Sequence, residues 1–311
     1  MHIRTPDLLE FALLILLGVL WGAPYALTKI SLETIPPLTL VAARVAIAAI
    51  VLWIVAVAVK AEIPTQRALI PRLFIQGCIG CAVPYTLITF GQESVHSALA
   101  AILNSTGPLF VCLIYLMGKR RESQSFGRLI GIGVGLAGVV LISGASALLD
   151  LGRTTIGQLA IILATFSSAV GVIHGRRFAL IAPEVAAAST LTWAAVVMIP
   201  LCFFFESPLS SKPATGAIVA LLLNAIAATA IGFVIYFRLI RTIGSTSTAS
   251  VGYLKPAVAV LIGCAFVGEP LTWTTIVGLA AILLGVGIIH QTDSSRSLAW
   301  FTSRIKMSIA H

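Results

Sequence analysis

Tyr253-Leu254-Lys255-Pro256 stands in the middle of an apolar run that extends from about Thr246 to Val267. Such a run is long enough to cross a bilayer as a helix, because about 20 residues span roughly 30 Å of hydrocarbon. Lys255 lies about ten residues from either end, which predicts an ammonium group near the bilayer midplane. A charge at that depth costs at least about 2.5–3.5 kcal/mol, and Pro256 removes a backbone donor beside it. The pattern therefore predicts a functional role for Lys255.

The composition assigns the whole chain to the membrane class. The chain has 311 residues, of which 59% are hydrophobic and 10% charged, and its mean hydropathy is +1.05. A soluble domain does not cover its surface with so few charges. The net charge of +9 would favour a nucleic-acid partner in a soluble protein, but here the basic residues lie between apolar runs. We therefore expect the lipid bilayer as a partner and no nucleic acid.

Ten apolar runs are long enough to span a bilayer, and turn-like stretches such as Glu206-Ser207-Pro208 separate them. We number these runs segments 1 to 10. Their approximate bounds are 9–30, 38–59, 71–92, 97–118, 127–145, 156–175, 184–205, 214–237, 246–267 and 272–290. The sequence thus predicts an all-α integral membrane protein with ten transmembrane helices.

The basic residues predict the orientation of these helices. Fifteen of the 20 Lys and Arg residues fall on one side, in the loops or at the segment ends, two fall on the other side, and Lys29, Arg44 and Lys255 lie deeper within segments. Positive charge concentrates in cytoplasmic loops. Both termini are therefore predicted to be cytoplasmic, and residues 292–311 are predicted to form a cytoplasmic basic tail.

The two halves of the chain carry the same spacing of residues. In each half a glutamate is followed by a glycine nine residues later and by another after seven more, at Glu122, Gly131 and Gly138, then at Glu269, Gly278 and Gly285. The pattern predicts a five-helix repeat over 1–146 and a second over 147–291. Because five is odd, the second copy enters the membrane inverted. Inverted repeats are typical of secondary transporters.

Each repeat also contains a polar stretch that ends in proline. Residues 104–108 are expected to interrupt segment 4, as residues 253–256 are expected to interrupt segment 9. Pro108, Gly107 and Pro256 are the predicted hinges, about which the two repeats would rock during alternating access. When the two stretches are aligned on proline, Gly107 stands opposite Lys255, so the halves share a kink but differ in charge.

Lys255 is the predicted anchor for a substrate carboxylate; the alternative is that it satisfies backbone carbonyls freed by the break. Arg44 is expected to extend outward to the membrane surface and to be structural. The further candidates for substrate binding are polar or aromatic side chains within segments, for which the alternative is interhelical hydrogen bonding. They are Trp21, Tyr25, Tyr85, Asn104, Ser105, Asn224, Tyr236 and Tyr253.

The acidic residues constrain the substrate. All 11 Asp and Glu residues are predicted to lie in loops or at the membrane interface. Proton-driven pumps for cationic drugs need a membrane-embedded carboxylate, and none is evident. We therefore expect a zwitterionic or anionic small molecule as the substrate.

Two glycine- or cysteine-containing motifs are interpreted as packing features. Cys78-Ile79-Gly80-Cys81 has the spacing of a redox or metal site, but no second pair exists, and a free cysteine in an apolar run acts as a small hydrophobe. Gly131, Gly133 and Gly135 follow no strand and favour close helix packing over nucleotide binding. We expect no cofactor, no metal and no catalytic residue.

A series of short motifs occurs in order along residues 9–290. These are Gly18 to Gly22 with Lys29, Pro37 with Arg44, Ser97 to Pro108, Glu122, Arg241 to Gly244, Tyr253 to Pro256, and Gly268 to Pro270 with Gly278 and Gly285. Together they resemble the drug/metabolite transporter superfamily in its EamA-type ten-helix form. Two positions depart from the family pattern, in that Arg121 stands where Gly is usual and Lys255 where a small or polar residue is usual.

The resemblance implies two five-helix bundles around a central cavity lined mainly by segments 3, 4, 8 and 9. It also implies export of amino acids or related small metabolites from a bacterial inner membrane, with no enzymatic step. We expect the chain to function as a monomer. The alternatives are an exporter of multiple drugs or cationic compounds, an integral-membrane enzyme acting on lipid-linked substrates, and a receptor or scaffold.

Overall fold

The computed structural model describes residues 8–117 except 65, 126–143, 153–242 except 179, and 251–288 except 269–271 and 286. These described residues form helices, turns and short connections, and none of them is in a strand. Six of the described helices are long and apolar enough to cross a membrane by length and composition. They are Leu9–Ser31, Pro37–Ala58, Arg67–Gln92, Thr154–Phe178, Pro183–Phe205 and Thr215–Tyr236. The total of ten transmembrane helices stays a prediction.

The helices follow the predicted segments in order. Segments 1 to 5 contain α1 (Leu8–Gly22), α2 (Pro24–Ser31), α3 (Pro37–Ala58), α4 (Ile70–Gly77), α5 (Val83–Gln92), α6 (Ser97–Asn104), α7 (Gly107–Met117) and α8 (Phe126–Ser143). Segments 6 to 10 contain α9 (Arg153–Gly175), α10 (Pro183–Phe205), α11 (Thr215–Leu222), α12 (Gly232–Thr242), α13 (Val251–Ile262) and α14 (Trp273–Gly285). Short 3-10 turns precede α4 at Arg67–Leu69 and follow α9 at Arg176–Phe178.

The start of α3 shows how the sequence sets a helix boundary. Pro37 occupies the first helical position after the extended residue Pro36, where a missing backbone N–H costs nothing. The Glu206 carboxylate accepts hydrogen bonds from the backbone N–H groups of Leu38 at 2.9 Å and Thr39 at 2.8 Å. An acid at a helix N-terminus is stabilising. Glu206 therefore caps segment 2 from the end of segment 7.

Segments 3 and 8 each contain a π-helical turn, at Cys78–Ala82 and Leu223–Ile231. A π turn inserts one residue and weakens the regular ladder of backbone hydrogen bonds. At both turns a backbone carbonyl accepts a hydrogen bond from a side-chain hydroxyl. Ser167 Oγ donates to the Ile79 oxygen at 2.8 Å, and Thr229 Oγ1 donates to the Asn224 oxygen at 2.8 Å. Corresponding positions of the two halves thus carry the same backbone irregularity. A further π turn, Gly263–Val267, follows α13.

The packing of the segments is reciprocal between the halves. Segment 2 packs against segment 7, and both of them contact segments 3 and 8. Segment 1 packs against segments 8 and 9, while segment 6 packs against segments 3 and 4. Each of these contacts therefore has a counterpart five segments further along the chain.

The glycines of the repeated motif contact each other. A Cβ atom added at Gly138 would lie 2.8 Å from the Gly278 carbonyl oxygen, and one added at Gly285 would collide with the Gly131 carbonyl. Segments 5 and 10 therefore approach at backbone distance, as small residues allow in membrane proteins. The first glycine of each copy meets the second glycine of the other, which is the contact that a two-fold relation produces.

The two predicted helix interruptions have different outcomes. Segment 4 is interrupted between α6 and α7, where Ser105 Oγ and Thr106 Oγ1 donate to the Ile102 and Leu103 carbonyls at 2.6 and 2.7 Å. The predicted interruption at Pro256 is wrong, because α13 continues through it. Helix α1 packs tightly along this part of α13, since a Cβ at Gly22 would lie 2.9 Å from the Lys255 carbonyl oxygen. Neighbouring helices of this kind let a membrane helix tolerate proline.

Candidate functional site

Lys255 lies half-buried on α13 with its ammonium group against an aromatic ring. Lys255 Nζ is 5.5 Å from the centroid of the Trp21 ring. Among the described residues, no hydrogen-bond acceptor and no carboxylate pairs with this ammonium. An ammonium over the face of a tryptophan is attracted by the ring quadrupole. The Lys255 charge is thus held in place by an aromatic face while its three N–H donors face no protein acceptor in the part of the chain described.

The Trp21 ring, which contacts Lys255, forms a cluster with two further aromatic side chains. The Trp21 ring centroid is 4.9 Å from that of Tyr236 and 6.1 Å from that of Phe233, the latter in an edge-to-face arrangement. Gly232 permits this cluster, because a Cβ there would lie 2.6 Å from Trp21 Nε1. All three rings are half-buried. The structure therefore brings the predicted residues Lys255, Trp21 and Tyr236 together and adds Phe233.

Tyr25 and Asn104 form a second polar group, which joins segments 1, 4 and 6. Asn104 Nδ2 donates to the Tyr25 hydroxyl, and Thr165 Oγ1 donates to Asn104 Oδ1 at 3.0 Å. Tyr25 itself is buried. These side chains satisfy one another, which is how polar residues connect helices in membranes. The arrangement favours the structural alternative for Tyr25 and Asn104.

Asn224 and Ser105 also have local structural partners. Asn224 is fully buried and its Nδ2 donates to Thr28 Oγ1 at 3.1 Å. Ser105 contributes to the interruption of segment 4 through its bond to Ile102. The side chains of two further predicted site residues, Tyr253 and Pro108, lie outside the described part of the structure, as does the tail at 292–311.

Arg44 points toward segments 3 and 8, a direction that the sequence analysis did not predict. The expectation that it extends outward is wrong, because its Nε donates to Thr229 Oγ1 at 3.1 Å and its Cζ lies 4.4 Å from the centroid of the Tyr85 ring. Helical spacing was the sequence signal that could have indicated this direction. The apolar residues Leu40 and Ala48 lie one turn to either side of Arg44, and both are buried. Arg44 therefore lies on the buried face of α3.

Lys29 is the third basic residue within a segment, and its role is structural. Lys29 Nζ donates to the Gln92 carbonyl at 2.6 Å, where segment 3 ends. Gln92 is fully buried and its Nε2 donates to the Tyr25 carbonyl at 2.8 Å. This reciprocal pair ties segment 1 to the end of segment 3. Among the described residues, no three His, Cys, Asp or Glu side chains are arranged as metal ligands.

Comparison with known proteins identifies the family. The model of the EamA-like transporter family matches the chain twice, over residues 8–144 and 155–290. An inner membrane transporter of Escherichia coli K12, YedA, is 27% identical over 281 residues, which are 90% of each chain. A probable terminal-alkyne amino-acid exporter of Streptantibioticus cattleyicolor is 25% identical over 289 residues, covering 91% of this chain and 94% of the relative.

The fold is also found among solved structures. A crystal structure that is 20% identical superposes on this chain with a TM-score of 0.67, covering 94% of this chain and 99% of its own. The predicted resemblance to the drug/metabolite transporter superfamily is confirmed by the family match, and the apolar helices agree with a multi-pass membrane protein. The chain belongs to the EamA-like transporter family.

Proposed function

We propose that this protein is a secondary transporter that exports amino acids or related small metabolites across a bacterial inner membrane by alternating access. The substrate is zwitterionic or anionic. The observation that carries the proposal is the half-buried Lys255 ammonium, which lies over Trp21 and faces no acceptor among the described residues. An ammonium in this setting is stabilised when a substrate carboxylate completes its hydrogen bonds.

The described acidic residues also support a zwitterionic or anionic substrate. Glu10 lies 3.8 Å from Arg238 at one end of the helices, and Glu206 caps α3. Glu10 pairs with Arg238 and Glu206 with the first turn of α3, so neither of these two carboxylates pairs with Lys255. With no described carboxylate beside Lys255, the interior attracts anions and repels cations. This arrangement disfavours a pump for permanently cationic drugs.

The reciprocal packing supports the inverted repeat. The glycine contacts between segments 5 and 10, the paired π turns and the two successive family matches each relate one half of the chain to the other. The repeats correspond to 1–146 and 147–291, and transport proceeds by rocking of one repeat against the other. The interruption before Gly107 and Pro108 is the hinge in segment 4. In segment 9, the π turn Gly263–Val267 that follows α13 takes the same role.

The relatives support the substrate class and the location. One is named as a probable amino-acid exporter and another as an inner membrane transporter. The distribution of basic residues supports a cytoplasmic location of both termini. The chain is proposed to function as a monomer.

The proposal is tested with purified protein in liposomes of phosphatidylethanolamine and phosphatidylglycerol. Counterflow of each of the 20 radiolabelled L-amino acids is compared with that of tetraphenylphosphonium and ethidium, which are permanent cations. We expect uptake of a subset of amino acids and no uptake of the cations. A clear preference for the permanent cations would overturn the proposed substrate class.

Substitution of Lys255 tests the residue that carries the proposal. Lys255→Met keeps the length of the stem and removes the charge, and we expect a loss of at least about 10-fold in counterflow, the cost of one charge-assisted hydrogen bond. The matched control is Lys212→Met, because Lys212 is an exposed lysine in a loop. Protein yield and the gel-filtration profile verify folding of both variants. Unchanged counterflow in Lys255→Met would remove Lys255 from the site.

A further inference from the structure

The Arg44 guanidinium has hydrogen-bonding capacity that the described residues do not use. Its Nε donates to Thr229, while within the described residues neither terminal nitrogen has a hydrogen-bond or ion-pair partner. The side chain is half-buried. The two terminal nitrogens of a guanidinium form a planar fork that matches the two oxygens of a carboxylate. Arg44 therefore presents, inside the helix bundle, a fork that has no partner among the described residues.

The backbone of segment 8 holds this fork in place. Thr229 lies in the π turn, where its hydroxyl donates to the Asn224 carbonyl at 2.8 Å and can then only accept from Arg44 Nε at 3.1 Å. The Tyr85 ring covers one face of the guanidinium at 4.4 Å. Such fixation reduces the conformational entropy that an arginine loses on binding an anion.

Arg44 and Lys255 belong to one continuous polar and aromatic region. Arg44 Nε donates to Thr229, and Gly232, three residues further along segment 8, lies against the Trp21 ring, over which Lys255 is placed. A chain of contacts through segment 8 and the Trp21 ring therefore joins the two cations. Each is half-buried, and neither is paired with a carboxylate among the described residues.

The charge balance of this region indicates the substrate class. Two incompletely solvated cations without counterions are costly, and one anionic group would leave one of them unpaired. We propose that Arg44 forms a second anion subsite, so that the transporter selects compounds with two carboxylates, such as acidic amino acids and dicarboxylates. This inference rests on the proposed transport function. Lys255 holds one carboxylate and the Arg44 fork holds the other.

Matched pairs of compounds test the second subsite. Unlabelled compounds are compared in pairs as competitors of counterflow in the same liposomes. The pairs are glutamate and glutamine, aspartate and asparagine, and succinate and succinamate. Each pair has nearly the same size and differs in one carboxylate. We expect the acidic member of each pair to compete at least about 10-fold better in the wild type, as one charge-assisted bidentate contact allows.

Two Arg44 variants test whether Arg44 causes the preference for the acidic member of each pair. Arg44→Gln removes the charge and is expected to reduce the preference within each pair to about 3-fold or less, and Arg44→Lys, which keeps the charge without the fork, is expected to fall between. The matched control is Arg72→Gln, because Arg72 is an exposed arginine, and it should keep the wild-type preference. Gel filtration checks the folding of each variant.

The outcomes separate this inference from the function on which it rests. A wild type that exchanges neutral amino acids without preferring the acidic member of any pair overturns the second subsite and leaves the transport function intact, and this result needs no variant. A folded Arg44→Gln protein with an unchanged preference overturns it as well. A wild type that exchanges no amino acid or carboxylate overturns the proposed function and the inference together.

Discussion

Lys255 and Arg44 are both basic residues within apolar helices, yet the protein holds them in different ways. Lys255 lies over the Trp21 ring and has no hydrogen-bond acceptor among the described residues. Arg44 is bonded to Thr229 and stacked on Tyr85. The difference follows from the side chains, because an ammonium is a mobile point charge and a guanidinium is a rigid plane. The Lys255 ammonium can therefore turn its three donors toward a substrate, whereas the plane of the Arg44 guanidinium is fixed before the substrate arrives.

The two cations also differ in the contacts that position them. Lys255 is positioned by close packing of helix backbones, since α1 approaches α13 at Gly18 and Gly22. Arg44 is positioned by hydrogen bonds that depend on a π turn in segment 8. Disturbing the helix packing should therefore affect Lys255 most, and removing a single hydroxyl should affect Arg44 most.

The largest effect is expected from Gly22→Leu, which disrupts the helix packing beside Lys255. A Cβ at Gly22 would lie 2.7 Å from the Val258 Cβ and 2.9 Å from the Lys255 carbonyl oxygen. Overpacking costs about 1–3 kcal/mol and occasionally more, so the monodisperse fraction in detergent gel filtration should fall severely. Gly133→Leu is the control, because nothing lies within 4 Å of its added Cβ. Equal yields of the two variants would contradict the close contact.

An intermediate effect is expected at Trp21, the ring that holds Lys255. Trp21→Ala removes a cation–π contact of about 0.5–2 kcal/mol, so the half-saturating concentration of a transported amino acid should rise by about 3- to 30-fold. Trp21→Phe keeps an aromatic face and should retain most of the affinity. Trp273→Ala serves as the control for loss of an indole, because Trp273 is 80% exposed. Equal transport by Trp21→Ala and the wild type would separate Trp21 from the Lys255 site.

The smallest effect is expected at Thr229, which orients Arg44. Thr229→Val replaces the hydroxyl by a methyl group of similar size and removes a net hydrogen-bond contribution of about 0.5–1.5 kcal/mol. The preference for glutamate over glutamine should fall by about 2- to 10-fold, while Thr229→Ser should keep it. The measurement is the competition ratio of both variants, with thermal unfolding in detergent as the folding check. A valine variant that matches the serine variant would show that Arg44 needs no orienting partner.

Much of the candidate site was predictable from residue type and position in the sequence. Lys255, Trp21 and Tyr236 were predicted as binding residues because a charge and large aromatic groups deep in apolar runs need partners, and the structure brings these three together. The predicted residues Tyr25 and Asn104 also meet, but they bond to each other. Polar residue type indicates that a partner is needed, but it does not tell whether that partner is another helix or a substrate.

By itself the sequence determined the membrane class, the order of the apolar helices, the interruption at segment 4 and the repeated glycines. These properties depend on local composition and spacing, which add up along the chain. Only the tertiary structure decided that Arg44 points into the bundle and that α13 continues through Pro256. The direction of a long side chain depends on how its helix is rotated against its neighbours, and the tolerance of a proline depends on the helices packed around it. Both are properties of contacts between residues far apart in the sequence.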